Sequence, residues 1–124
     1  MDKNNEELIN MLGEILGIDD PEENISLESN LVDDLGAESI DFIDICFQLE
    51  KGFKIGKVVS KDIFPEKLRS DADYDEEVLD EVVKQYPYLQ GELVEEMKSK
   101  KNYTAILTVK AICKFVEWRL QNAK

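Results

Sequence analysis

Ser39 is the residue whose surroundings most invite chemistry. It follows a small-residue turn, Gly36-Ala37, and opens a run to Phe53 that is apolar at helical spacing and flanked by Glu38, Asp41 and Asp44. A serine in such a place can be a helix N-cap, its hydroxyl accepting a backbone N–H of the first turn. Phe42 stands three residues on, so no capping box is legible around Ser39. The chain has no histidine, which removes the commonest general base and the commonest metal ligand. No nucleophile–base pair can be assembled. Cys46 and Cys113 are too far apart for a redox motif or a metal framework, and both fall on apolar helical faces. They read as small buried hydrophobes in a reducing compartment. No metal site and no catalysis by the chain itself are expected.

The stretch Asp33-Asp34-Leu35-Gly36-Ala37-Glu38-Ser39-Ile40-Asp41 resembles the attachment site of acyl carrier proteins. In that family a serine at the start of the second helix accepts 4'-phosphopantetheine from coenzyme A, and the thiol of that arm carries acyl groups between enzymes as thioesters. The family usually shows Asp-Ser-Leu-Asp; here Glu38-Ser39-Ile40-Asp41 keeps charge and apolarity with a longer acid. Asp44 stands where the family usually has glutamate. The resemblance implies covalent phosphopantetheine at Ser39, loaded by a phosphopantetheinyl transferase. It further implies that acyl-transferring or acyl-elongating enzymes dock basic patches against Glu38, Ile40, Asp41, Ile43, Asp44 and Phe47.

Several elements must position that serine. A first helix is expected from about Asn5 to Leu16, with Leu8, Met11, Leu12 and Ile15 at helical spacing, ended by Gly17 and Pro21. Residues 19–38 read as a long acidic loop pinned by Ile25, Leu27, Leu31, Val32 and Leu35. On the Ser39 helix, Phe42, Ile45, Cys46, Leu49 and Phe53 form one apolar group. Ile40, Ile43 and Phe47 form another, and Asp41, Asp44 and Gln48 fill the polar arc. One stripe suffices for a core. The second group must meet a partner enzyme, an acyl chain or another segment of this chain. A last helix from about Thr108 to Leu120 carries the stripe Val109, Ile112, Cys113, Val116 and Leu120, with Thr108 as N-cap. Phe115 and Trp118 fall off that stripe, as surface aromatics or as contacts for a further segment.

The resemblance covers residues 5–53 and 104–120, where Ile106 to Ala111 looks like the start of the family's final helix. About fifty residues intervene in place of the family's short third helix. Pro65 can open a turn of helix through Leu68. Asp73 or Asp75 can cap a helix to about Gln85, Tyr86-Pro87-Tyr88 breaks it, and another follows to about Lys98. Ile55 to Ser60 is left as loop. The apolar residues of this insertion, taken as 57–103, need a surface, and part of Phe42, Ile43 or Phe47 is the expected one.

Charge sharpens the picture. The net charge is -13, and residues 1–50 hold 15 of the 28 acidic residues with a single basic one, Lys3. Glu38, Asp41 and Asp44 leave the face around Ser39 without a cation. Such a field repels nucleic acid and favours salt-sensitive encounter with basic protein surfaces. No leader and no run of membrane-spanning length is visible, so a cytoplasmic monomer without membrane insertion is expected.

The fold class expected is all-α: one domain over residues 1–124, an acyl-carrier-like helical bundle with an inserted helical subregion. The function implied is to hold acyl intermediates on phosphopantetheine in a specialised fatty-acid or lipid pathway. A peptidyl or aminoacyl carrier uses the same serine. An unmodified acidic helical adaptor, with Ser39 only a cap, is the alternative outside the carrier class.

Overall fold

The computed structural model describes residues 3–68 and 73–122. Residues 69–72, inside the expected insertion, lie outside the described part. The described chain is all-helical apart from one isolated bridge between Asn30 and Thr108.

Helix α1 spans Lys3–Leu16 and buries Leu8, Ile9 and Leu12. The expected acidic loop is interrupted by a short helix, α2, Pro21–Asn24. Pro21, taken from the sequence only as a stop for α1, also starts α2. Its fixed φ suits the first helical turn, and its missing N–H would be unpaired there anyway. The two helices touch closely at Gly13, where a Cβ would lie 2.6 Å from the Pro21 Cβ. The hydrogen atom of Gly13 makes that approach possible.

Helix α3 spans Ser39–Phe53, as the apolar spacing predicts. It ends at Lys54, in left-handed conformation, whose N–H returns to the Glu50 carbonyl at 3.1 Å. A short helix α4, Ser60–Ile63, follows within the segment read as loop. A 3₁₀ turn over Glu66–Leu68 closes on the Pro65 carbonyl.

The segment read as an insertion then supplies α5, Glu76–Gln85, and α6, Glu92–Lys100. Of the two candidate caps for α5, Asp75 serves, its carboxylate accepting the Glu77 N–H at 2.9 Å. The buried Tyr103 ties down this cap: its hydroxyl accepts the Asp75 N–H at 2.7 Å and donates to the Asp75 carbonyl at 3.2 Å. A second 3₁₀ turn, Thr104–Leu107, leads into α7, Val109–Asn122. The Thr108 hydroxyl accepts the Ala111 N–H at 3.3 Å, the capping role expected of it.

For α7 one expectation changes and one open alternative is decided. Leu120, in the last turn of α7, is 43% exposed. Phe115 is buried, because the insertion reaches it: Tyr88 meets its ring edge-on at 5.5 Å. The Tyr88 hydroxyl also donates to the Ile63 carbonyl. Leu79, Leu89, Leu93 and Met97 of the insertion join one continuous core with Leu8, Ile45, Leu49 and Ile112. The segment read as an insertion is therefore no satellite packed on itself.

Its expected resting place is only partly met. Phe64 packs edge-on against Phe42 at 5.0 Å. Ile43 and Phe47 stay 66% and 54% exposed.

Candidate functional site

The approach to Ser39 is a knot of local hydrogen bonds centred on Asn30. Its Oδ1 accepts the N–H groups of Val32 and Asp33, both at 2.9 Å, and its own N–H donates to Asp34 Oδ2 at 2.7 Å. Its carbonyl accepts from Asp34 and Leu35. Gly36 turns the chain at φ +70°, a conformation that costs glycine nothing. The Ala37 N–H then closes on the Leu31 carbonyl at 2.8 Å, with both side chains buried.

The same segment holds the start of α7. The N–H groups of Val109 and Lys110 donate to the carbonyls of Ser29 and Leu27, and the Leu31 N–H donates to the Leu107 carbonyl. Orphan donors at a helix start thus become the clamp for the loop that carries the site. Lys110 adds a charge clamp, 2.8 Å from Glu28 and 3.4 Å from Glu92 of the insertion. These carboxylates, Glu28 first, raise its pKa. Sequence reading had not singled out Asn30. Its type, four residues before an aspartate and six before a glycine, is a turn signal that could have found it.

At the serine itself the capping alternative is not met. The N-cap of α3 is Glu38, in extended conformation, and Ser39 is the first helical residue. Asp41 reaches back so that its Oδ2 accepts the Glu38 N–H at 2.8 Å. Half of the box that is absent around Ser39 exists one residue earlier, with an aspartate in the usual glutamate place and no cap bond from the Glu38 side chain. Ser39 is exposed, and its hydroxyl has no partner among the described residues.

Beyond it the helix presents the residues expected for docking. Ile40 and Ile43 are 65% and 66% exposed, Phe47 follows one turn on, and Glu38 and Asp44 are exposed with them. Asp41 is half-buried and engaged in its bond to Glu38. At the far end of the stripe, away from Ser39, Lys51 adds a cation, its ammonium 5.2 Å from the centre of the Phe47 ring. Behind the stripe Cys46 is buried, its thiol pushed up to about 11 by burial first and then by Asp62 and Glu50. It is a packing residue with almost no thiolate character.

Among the described residues no cluster of acids and cysteines could hold a metal ion, and no helix is long and apolar enough to cross a membrane.

Residues 6–64 match the family model described as the phosphopantetheine attachment site. A domain of this kind is a carrier and not a catalyst, and it is where 4'-phosphopantetheine is covalently attached. The match supports a phosphopantetheine-carrier role in general and is consistent with the acyl carrier protein family that the sequence resembles. Such a carrier implies a phosphopantetheinyl transferase and further enzymes as partners. The match runs through α4 to Phe64, past residue 57 where the insertion was taken to begin. No solved structure gives a significant match.

The local structure fits the group. An exposed hydroxyl at the first residue of a 15-residue helix is open to a transferase. A phosphodiester there lies at the positive end of the helix dipole, which favours its charge. Glu38 and Asp41 offset part of that gain.

Proposed function

We propose that Ser39 is the attachment point and that the chain carries acyl intermediates for a specialised fatty-acid or lipid pathway. When bound, the phosphopantetheine arm supplies a thiol that holds the acyl group as a thioester. The chain's own residues present and orient. Asn30, Gly36 and the α7 clamp hold the approach, and Glu38 with Asp41 fixes the first turn of α3. Ile40, Ile43 and Phe47 offer partner enzymes an apolar stripe, with Glu38, Asp41 and Asp44 beside it for basic residues. In this reading residues 57–103 are part of one carrier domain.

The observation that carries the proposal is the division of labour at the helix start. Glu38 occupies the cap position, so the exposed Ser39 hydroxyl is not engaged in capping. This, with the family match, weighs against an unmodified adaptor. Acidity favours acyl over peptidyl cargo.

The test is loading by coenzyme A and a phosphopantetheinyl transferase, followed by mass spectrometry. One arm should appear on the Ser39 peptide and none on Ser39→Ala. Labelling of the alanine variant would refute the site. An aminoacyl or peptidyl group on protein from its native host would refute the acyl assignment.

A further inference from the structure

The exposed stripe of α3 changes charge from one end to the other. Glu38, Asp41 and Asp44 stand around the Ser39 end, and residues 38–50 contain no cation. From Lys51 to Lys61 the chain holds four lysines and no acid. Of these, Lys51 lies on the stripe itself. Its ammonium sits over the exposed Phe47 ring, and it makes no ion pair among the described residues.

Helix geometry puts the opposite charges in line. Asp44 and Lys51 are seven residues apart, so they lie within about 20° of each other around α3 and about 10 Å apart along it. Ile40 and Phe47 are related in the same way and form the neighbouring row. Asp44, Phe47 and Lys51 are all exposed. The acids nearest in sequence to the lysine end are engaged within the chain. Glu50 Oε1 accepts the Val58 N–H, while Asp62 accepts the Val59 N–H at 3.0 Å and lies 3.6 Å from Arg119. A lysine in the last turn also suits the negative end of the helix dipole. That effect asks for a cation anywhere in the last turn and does not require it on the apolar stripe.

We propose that the transferase docking on α3 presents a charge-polarised surface: a cation for Asp44, apolar side chains for Ile40, Ile43 and Phe47, and a carboxylate for Lys51. The choice of this partner rests on the reading of Ser39 as the attachment point. Lys51 fixes the direction in which the partner lies along the helix, because a reversed partner would set like charges against each other at both ends. A partner basic along its whole length would meet Lys51 with repulsion. A second copy of the chain, laid antiparallel, would also match Asp44 to Lys51. It is disfavoured because it brings together two chains of net charge -13.

The test titrates the phosphopantetheinyl transferase of the same host against the full chain carrying Ser39→Ala, so that docking is read without loading. In that background Lys51→Glu should weaken binding about fivefold at low salt and Lys51→Met about twofold, as for reversal or loss of one exposed ion pair. These differences should vanish at high salt. Lys51→Arg should bind like Ser39→Ala alone. Lys84→Glu, at an exposed site on α5, changes the net charge equally and should not weaken binding. The melting curves should all coincide, because both side chains are exposed. The sign decides the matter, since on a uniformly basic partner the added glutamate would tighten binding. Tighter or unchanged binding of Lys51→Glu, equal weakening by Lys84→Glu, no binding of Ser39→Ala itself, or a parent dimer that Lys51→Glu dissociates would each overturn the proposal. Loading of the parent from coenzyme A is scored separately. An unlabelled Ser39 together with weakened binding of Lys51→Glu would refute the attachment reading and leave the polarised surface standing.

Discussion

Asp41 Oδ2 accepts the backbone N–H of Glu38 at 2.8 Å, and Ser39 lies between these two residues with its hydroxyl unpartnered among the described residues. Capping thereby falls to residues other than the proposed attachment serine. Ser39→Ala should then leave stability within about 0.5 kcal/mol of the parent, as for other surface changes. Asp41→Ala should cost about 1 kcal/mol, the usual loss for a cap. Urea melts of the two variants separate the roles; a larger loss for Ser39→Ala would return the serine to capping.

Asp44 is the clean probe of electrostatic docking, because it is exposed and has no capping duty. Asp44→Lys should keep the parent's melting curve and slow transferase loading roughly threefold at low salt, since steering acts on encounter. The rates of parent and variant should converge at high salt. Asp41→Lys mixes this effect with loss of the cap. Loading rates of Asp44→Lys that equal the parent's at every salt concentration would remove electrostatic steering from α3.

Tyr103→Phe removes both hydrogen bonds to the Asp75 backbone. Asp75 is exposed, so water replaces part of what is lost, and a cost of about 1 kcal/mol is expected. The loss should concentrate in the insertion. Hydrogen exchange should speed up along α5 and stay slow at the buried positions of α3.

The buried Cys46 thiol, with a pKa near 11 against an ordinary value of 9.0, makes a pH prediction with a definite sign. Unfolded chain releases this proton from about pH 9, whereas folded chain retains it to about pH 11. The unfolded state thus binds fewer protons in that window, and stability falls as pH rises through it. Below pH 9 the contribution is fully present. Cys46→Ala should flatten part of this decline in denaturant melts taken from pH 8 to 10.5. At pH 8 only about one Cys46 in a thousand is thiolate, so alkylation of native protein at this residue should be slow.

Much of this protein was legible along the chain. The spacing of Phe42, Ile45, Cys46, Leu49 and Phe53 determined α3 and its inward face, because a helix repeats every 3.6 residues whatever surrounds it. Local chemistry likewise placed Thr108 at a helix start, narrowed the α5 cap to Asp73 or Asp75, and placed the break at Tyr86 to Tyr88. The pattern around Ser39 pointed to a phosphopantetheine carrier, and the match over residues 6–64 agrees. Periodicity records that a face is apolar but not what covers it. Only the tertiary structure decided that Tyr88 buries Phe115, that Leu120 stays exposed, and that Phe64 covers Phe42 while Ile43 and Phe47 remain bare. It alone showed Asp41 reaching back to Glu38, since Glu38 and Ser39 are neighbouring candidates whose backbone dihedrals determine which one caps. It alone brought Asn30 beside Thr108, because pairing across 78 residues depends on where the insertion returns the chain, and no local signal encodes that.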